Sequence, residues 1–337
     1  MNCTNDDVYV AGWEDYGQSR MPKLWKNGAA QNLTDGKKHD AVALSVFVSG
    51  NDVYATGYDM TRFNTVARLW KNGTTQNLTV GSNLAEGYSV FVSDGDVYVA
   101  GREQNEAKLW KNGTAESLTD GTFNACAHSV FVADSDIYVA GWEQNEQKNH
   151  VAKLWKNGVA HNLTDGTYNA KAYSVYVSGG DMYVAGWEES GREYDYDGEL
   201  YLFRYSVAVL WKNGVAQNLT DGMYNAKANS VYVSGNDVYV AGYEVNPQRQ
   251  KRTFARLWIN GAAQNLTDGM AKAEACSVYV LGKNVYVAGY EMNIEDEDIP
   301  GVDIDGIYVA TVWKNGAARR LTNGKRDAMA FSVWLNK

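Results

Sequence analysis

Apolar and polar residues follow one another in short runs along the chain, and no segment shows the period of an amphipathic helix. Runs rich in valine and aromatic residues, such as 230–233 and 238–242, are bounded by Gly, Asn and Asp, which is typical of strands between tight turns. Several of these runs are apolar on both faces, as expected for strands that are covered on both sides. The pattern predicts an all-β protein.

The runs recur as one unit that occurs seven times. Its first marker is the motif Leu-Trp-Lys-Asn-Gly or a close variant, with the tryptophans at Trp25, Trp70, Trp110, Trp155, Trp211, Trp258 and Trp313. Its second marker, Ser-Val-aromatic-Val or a variant, begins 19 residues after the tryptophan in six units and 20 residues after it in the other. Asn-Gly predicts a two-residue hairpin turn, because both turn positions need positive φ. Each unit therefore predicts four short strands, a to d in chain order, with the length variation in the b–c loop.

Four antiparallel strands per repeat are typical of propeller blades. The chain begins in a strand b at 7–12 and ends in a strand a at 332–335, so the last strand is expected to complete the first blade. A ring closed in this way needs no capping repeats, whereas a solenoid does. The sequence therefore predicts a seven-bladed β-propeller that spans 1–337 as a single domain, with the C-terminal strand paired to the N-terminal strands.

The Leu-Trp-Lys-Asn-Gly and Asn-Leu-Thr-Asp-Gly motifs resemble those of bacterial secreted propeller-like proteins of unassigned role. The signatures of WD40 and kelch blades are absent from the sequence. The resemblance implies the fold, a bacterial origin and an extracytoplasmic or cell-surface location, and it implies no particular activity.

Charge and hydropathy narrow the range of partners. The net charge is −9 and Lys and Arg form no run, so a nucleic-acid partner is not expected. No stretch reaches the roughly 20 apolar residues that cross a bilayer, so we expect a soluble chain without a membrane span, and a monomer. The cysteines Cys3, Cys126 and Cys276 are odd in number and widely spaced, which predicts free thiols.

Positions that differ between near-identical units are candidates for function. Two such positions precede the serine of strand a, three residues and one residue ahead of it; we call them the first and second variable positions. Alternation predicts that both face one side of the strand and ring the mouth of the central channel. A pocket that mixes charged and aromatic side chains suits a ligand, although drift at exposed channel positions is the alternative. The candidate residues are Glu86, Tyr88, His128, Lys171, Tyr173, Lys227, Asn229, Glu274 and Phe331.

Strand b ends in Gly, an aromatic residue and an acid in six units, as in Trp187-Glu188. Aromatic faces beside carboxylates suit sugar rings or cationic groups. A base on strand c, such as Lys153, lies nearly opposite in most units. A cross-strand ion pair therefore explains the repetition without a ligand.

Two b–c loops are long enough to form surfaces of their own. The first loop is rich in tyrosine, which favours contact with a partner through Tyr194, Tyr196 and Tyr201. Both loops contain Asp-x-Asp-Gly, a fragment of the calcium-loop pattern, which makes Asp195, Asp197, Asp303 and Asp305 candidate ligands for calcium. A solvated acidic loop is the alternative, and no other cofactor is expected.

No catalytic constellation is evident in the sequence. The four histidines, His39, His128, His150 and His161, occupy different positions in the repeat, so neither a metal site nor a nucleophile–histidine pair is indicated. We therefore expect a non-enzymatic propeller that binds a glycan or a protein on its loop face. The alternatives are a hydrolase or lyase with its site at the channel mouth, and a protein-interaction scaffold that uses the long loops.

Overall fold

The computed structural model describes residues 7–17, 19–35, 40–60, 64–80, 84–196, 199–293 and 306–336. Within these ranges the chain forms β-strands joined by turns and no helix, so the described residues contain no helix that could cross a membrane. In chain order the strands are β1 (Asp7–Asp15), β2 (Arg20–Lys26), β3 (Ala29–Asn32), β4 (Asp40–Ser49), β5 (Asp52–Met60), β6 (Thr65–Lys71), β7 (Thr74–Asn77), β8 (Ala85–Ser93), β9 (Asp96–Glu103), β10 (Glu106–Lys111), β11 (Thr114–Ser117), β12 (Ala125–Ala133), β13 (Asp136–Gln144), β14 (His150–Lys156), β15 (Val159–Asn162), β16 (Ala170–Ser178), β17 (Asp181–Tyr196), β18 (Glu199–Lys212), β19 (Val215–Asn218), β20 (Ala226–Ser234), β21 (Asp237–Asn246), β22 (Arg249–Ile259), β23 (Ala262–Asn265), β24 (Ala273–Leu281), β25 (Asn284–Asn293), β26 (Ile307–Lys314), β27 (Ala317–Arg320) and β28 (Ala328–Asn336).

The strands form seven four-stranded antiparallel sheets, one for each blade of a propeller. Blade 1 has the strand order β28-β1-β2-β3, and the next six blades follow along the chain as β4–β7, β8–β11, β12–β15, β16–β19, β20–β23 and β24–β27. The last strand, β28, pairs with β1 and supplies strand a of the first blade. The predicted seven-bladed β-propeller and its closure by the C-terminal strand are confirmed.

The tryptophan of strand c packs between blades. Each of the seven is no more than 1% exposed. Trp110 of blade 3, for example, packs in one cluster with Phe47, Tyr54 and Leu69 of blade 2. Truncation of a buried tryptophan to alanine typically costs about 3–5 kcal/mol, so these seven contacts are a main source of stability.

A ring of hydrogen bonds joins the innermost strands, which have no neighbour within their own sheet on the channel side. The serine Oγ of each strand a accepts the N–H of the valine in strand a of the next blade, at 3.1–3.3 Å. The bond recurs at all seven interfaces, including the closing one between Ser332 and Val46. Inner-edge N–H groups that would otherwise lack a partner are thereby satisfied.

Each blade contains one irregularity in the ladder between strands a and b. In blade 4 the register shifts between Ala127 and Ser129, so that His128, at the second variable position, is an extra residue without a partner. The glycine across the ladder, Gly141, permits this bulge, because a Cβ there would lie 2.0 Å from the carbonyl oxygen of Cys126. The same close approach, 1.9–2.0 Å, occurs at Gly12, Gly57, Gly101, Gly141, Gly186, Gly242 and Gly289. This strand-b glycine therefore makes room for the bulge and so sets the position of its extra residue.

Replacement of this glycine is expected to be costly. Gly186→Ala would place a methyl group 2.0 Å from the carbonyl oxygen of Lys171 and 2.9 Å from the Trp211 ring, so we expect a loss of about 3 kcal/mol or more in the free energy of unfolding. Denaturant titration measures this loss. Gly235→Ala is the control, since Gly235 has φ +61° with nothing within 4 Å of its Cβ position and should lose only about 1–2 kcal/mol. Equal losses in the two variants would contradict the steric role of Gly186.

Candidate functional site

A cavity of about 380 Å³ lies at the end of the channel where strand a begins. Its wall contains the second variable residue of every blade: Leu44, Tyr88, His128, Tyr173, Asn229, Cys276 and Phe331. From the first variable position only Lys227 and Glu274 reach this wall, together with Tyr290 of strand b. The second variable position therefore lines this cavity in every blade, whereas most residues at the first position, including Glu86 and Lys171, lie outside its wall.

The bulge explains why the two positions differ. The first variable residue precedes the bulge and still pairs with strand b, and in blades 5 and 6 it is a lysine whose side chain lies against the preceding blade. Lys171 of blade 5 places its Nζ 4.1 Å from the ring centroid of Trp142 in blade 4, and Lys227 of blade 6 lies 5.2 Å from that of Trp187 in blade 5. The second variable residue is the unpaired one, so it is free to project toward the channel.

Glu86 is held within its own blade. Its carboxylate accepts hydrogen bonds from Arg102 Nε at 2.9 Å and from the Tyr88 hydroxyl. Arg102 replaces the aromatic residue that other blades carry at the end of strand b. Arg102, the exception to that motif, therefore has a structural role: it neutralises the carboxylate of Glu86, its partner in the ladder.

His128 is surrounded by rings and accepts a hydrogen bond from Trp142 Nε1 at 3.0 Å. The rings of Tyr88 and Tyr173 flank it, with centroids 5.0 Å from its own. Burial lowers the pKa of His128 to about 3, and the charges of Lys171 and Arg102 add to the effect. The imidazole is therefore neutral near pH 7, and it is poorly suited to the acid–base role that an enzyme at the channel mouth would require.

Cys126, next to this cluster, is buried as well. Burial raises the pKa of its thiol to about 12, so the reactive thiolate form is disfavoured.

The polar part of the mouth lies on blades 6 and 7. Glu274 accepts hydrogen bonds from Asn229 Nδ2 at 2.8 Å and from the Tyr290 hydroxyl, so neutral donors orient its carboxylate. Burial lowers the pKa of Lys227, and the nearby charge of Glu274 opposes that shift. The mouth thus presents an oriented carboxylate and a half-buried ammonium group side by side.

A larger cavity of about 550 Å³ adjoins the mouth and crosses blades 5, 6 and 7; we call it the groove. The two cavities share Lys227, Glu274 and Tyr290. The remaining residues of the groove come from strands β17, β18, β21, β22, β24 and β26, near the b–c and d–a connections, and from two d–a connections: Trp187, Glu189, Arg204, Ser206, Asn225, Tyr243, Val245, Lys251, Thr253, Lys272, Ala273 and Tyr308. Sequence reasoning missed the groove, and the one signal for it was that the longest b–c loops lie in this half of the chain.

The acids at the end of strand b mostly form the expected ion pairs with strand c. The pairs are Glu14–Lys23 at 2.9 Å, Asp59–Arg68 at 2.8 Å, Glu143–Lys153 at 2.6 Å and Glu244–Arg256 at 2.7 Å. In blades 5 and 7 the strand-c position holds Val209 and Thr311 instead of a base. There burial raises the pKa of Glu188 and Glu291. The ion-pair explanation therefore accounts for four blades and leaves two half-buried acids.

The predicted contact tyrosines lie at the far end of one hairpin. Tyr194 and Tyr196 are in β17 and Tyr201 is in β18, where Tyr194 and Tyr201 are partners in the ladder. The side chains of these tyrosines and of Asp195 are outside the described part of the structure, as are Asp197, Asp303 and Asp305 altogether. The contact surface and the calcium site therefore stay predictions. Among the residues that are described, no group of three or more His, Cys, Asp or Glu side chains is arranged to hold a metal ion.

An aromatic collar surrounds the channel two residues after the serine ring. Its side chains contact one another in sequence around the channel, with centroids 4.0–4.9 Å apart: Phe47, Phe91, Phe131, Tyr176, Tyr232, Tyr279 and Trp334. A third cavity, of about 350 Å³, is lined by this collar and by the serines. The collar is present in every blade, which is typical of a feature that serves the packing of the ring.

Comparison with known proteins supports the fold and goes no further. No protein-family model matches the chain, and no curated protein matches it either. The chain is similar to the β-propeller domain of the Trilobed protease from Pyrococcus furiosus, described as having an open velcro topology, with a TM-score of 0.51, 10% identity and 94% of each chain covered. A putative TolB from Agrobacterium tumefaciens aligns with a TM-score of 0.45 and 12% identity over 78% of this chain and 94% of that one.

The low pKa of His128 predicts acid sensitivity. The pKa is about 3 in the folded protein and about 6.5 in an unfolded chain, so unfolding takes up a proton between these values and stability falls as the pH falls through this window. The slope of unfolding free energy against pH in the wild type should exceed that in His128→Gln by up to about 1.4 kcal/mol per pH unit. Denaturant titrations at pH 6.5, 5.5 and 4.5 measure it.

His161→Gln is the control, since His161 is exposed on β15. It should keep the wild-type slope. A slope in His128→Gln that equals the wild-type slope would show that the imidazole does not remain neutral in the folded protein.

Proposed function

We propose that the protein is a glycan-binding propeller whose binding site consists of the channel mouth and the groove. The observation that carries the proposal is the pair of adjoining cavities on the face of the b–c loops, joined through Lys227, Glu274 and Tyr290. Their volumes, about 380 and 550 Å³, fall in the range of sites for small ligands and short oligosaccharides, whereas protein partners usually contact broad and flatter surfaces.

The chemistry of the walls supports a sugar. Tyr243, Tyr290 and Tyr308 bring aromatic surface to the groove, and Tyr290 and Tyr308 meet edge to face at 5.2 Å. Aromatic rings stack against the C–H faces of sugars, while carboxylate, amide and ammonium groups bond to their hydroxyls. Glu274 and Asn229 supply such groups in a fixed orientation, since they are hydrogen-bonded to each other.

The location of the site also supports binding. The cavities lie where the variable connections of blades 5–7 meet, whereas the opposite face has short turns that are alike in every blade. Binding residues are commonly carried by variable loops on a rigid scaffold. The channel-mouth histidine is neutral and committed to Trp142, so the structure favours binding over acid–base catalysis.

A glycan array probed with the labelled protein tests the proposal. We expect retention of a defined set of oligosaccharides, and we expect Tyr308→Ala to weaken binding of the best one at least tenfold, about 1.4 kcal/mol, because an aromatic wall of the groove is lost. Titration calorimetry measures the change in affinity.

Tyr16→Ala is the matched control, since Tyr16 is 59% exposed, follows strand b in blade 1 and lies outside both cavities. Its affinity should equal that of the wild type. Failure of the wild type to retain any oligosaccharide would refute glycan binding, and equal losses in Tyr308→Ala and Tyr16→Ala would place the binding surface elsewhere.

A further inference from the structure

Most strand lysines of this protein are paired with a carboxylate. Eight of them lie within 2.9 Å of an acidic oxygen: Lys23, Lys26, Lys71, Lys108, Lys111, Lys153, Lys156 and Lys212. Lys314, which is exposed, has no such partner within the described ranges. Lys171 and Lys227 also differ, because within those ranges neither has an acidic oxygen within 4 Å of its ammonium group. Each lies instead over the tryptophan of the preceding blade, at 4.1 and 5.2 Å from the ring centroid.

Because these two lysines are partly buried, the lack of a close carboxylate is more costly for them than for an exposed lysine. Both are partly buried, and burial lowers the pKa of each. They occupy the same position in neighbouring blades, and the charge of Lys227 lowers the pKa of Lys171 further. A half-buried cation opposes folding unless an anion compensates for it, and the charge of Glu274 offsets the effect of burial on Lys227 only in part. Because most strand lysines of this protein are paired with a carboxylate, two partly buried lysines without a close carboxylate point to a ligand.

The groove has a positive surplus although the whole chain carries −9. Four basic side chains line it, Arg204, Lys227, Lys251 and Lys272, against the two acids Glu189 and Glu274. Arg204 lies 3.7 Å from Glu189, so these two charges largely offset each other. The side chains that line the groove therefore carry a net positive charge, which favours an acidic ligand there although the net charge of the whole chain is negative.

We propose that Lys227, with Lys272 on the groove side, binds the oxyanion of an acidic glycan, a carboxylate or a sulfate ester, while the Glu274 carboxylate and Asn229 Oδ1 accept hydrogen bonds from its hydroxyls. Lys171 lines neither cavity and adds its positive charge from behind Lys227. This assignment rests on the proposed glycan-binding function and adds the substrate class. Glu274 faces the neutral part of the ligand, because its carboxylate is already oriented by Asn229 and Tyr290.

Matched probes and a matched variant test the assignment. Titration calorimetry compares lactose with its 3′-sulfate and trigalacturonic acid with its methyl ester, so that sulfate and carboxylate are tested separately. The wild type should bind at least one acidic probe tenfold or more tightly than its neutral counterpart. Lys227→Gln should lose that preference, and Lys171→Gln should weaken it in part.

Lys314→Gln is the control, since Lys314 also lies over an aromatic ring, 5.2 Å from the centroid of Tyr286, and blade 7 has Asn284 where other blades carry the aspartate that pairs with this lysine. It removes the same charge at the opposite face and should keep the preference. Lys227→Gln is expected to fold with unchanged or higher melting temperature, because the half-buried cation is removed.

The outcomes separate this assignment from the proposed function. Equal affinity for acidic and neutral probes, or an unchanged preference in Lys227→Gln, overturns the oxyanion site while leaving glycan binding in place. If no sugar binds, the melting temperature with sodium sulfate and with sodium chloride at equal ionic strength decides the matter. If sulfate raises the melting temperature of the wild type and of Lys314→Gln but not that of Lys227→Gln, the oxyanion site is upheld and glycan binding is refuted. If all three proteins respond to sulfate in the same way, both are refuted.

Discussion

The close approach of a strand-b glycine to a strand-a carbonyl is the constraint on which both the ring and the site depend. Because Gly141 has no Cβ, the carbonyl oxygen of Cys126 occupies the space that a methyl group would need. The ladder then accommodates one extra residue, His128, and the inner strand bends at that point. The same contact occurs in every blade, so that seven extra residues meet around one cavity. Without the bulge, each of these residues would return to the ladder.

The contacts that hold the blades together repeat around the ring, whereas the residues of the channel mouth differ from blade to blade. The serine–valine hydrogen bonds and the buried tryptophans are alike at each interface, so folding does not require the blades to differ. The channel mouth nevertheless changes around the ring. Leu44 and Phe331 make it apolar on blades 2 and 1, whereas Lys227 and Glu274 make it charged on blades 6 and 7. The groove adjoins the charged side, so the cavities break the symmetry of the ring.

Electrostatics distinguishes the frame from the site. In the repeated part of the blades, most lysines that end strand c lie beside an aspartate, as in Lys156–Asp136 at 2.7 Å, and exposed pairs of this kind contribute little energy individually. At the site, burial keeps His128 neutral, so no titrating imidazole faces the cavity near pH 7. Lys171 and Lys227 lie over tryptophan rings, and within the described ranges neither ammonium group has a carboxylate oxygen within 4 Å.

The sequence alone determined the blade count, the order of strands, the closure by β28 and the residues of the second variable position, because each of these follows from spacing within one repeat. It did not determine that Glu86 is engaged by Arg102, that Lys171 lies over Trp142, or that a groove crosses blades 5–7. Strand alternation is a local rule, and it fails where a glycine admits an extra residue that alters the direction of the next side chain. The contacts of Lys171 and the groove join different blades, so only the tertiary structure, which brings residues far apart in the chain to a common interface, decided them.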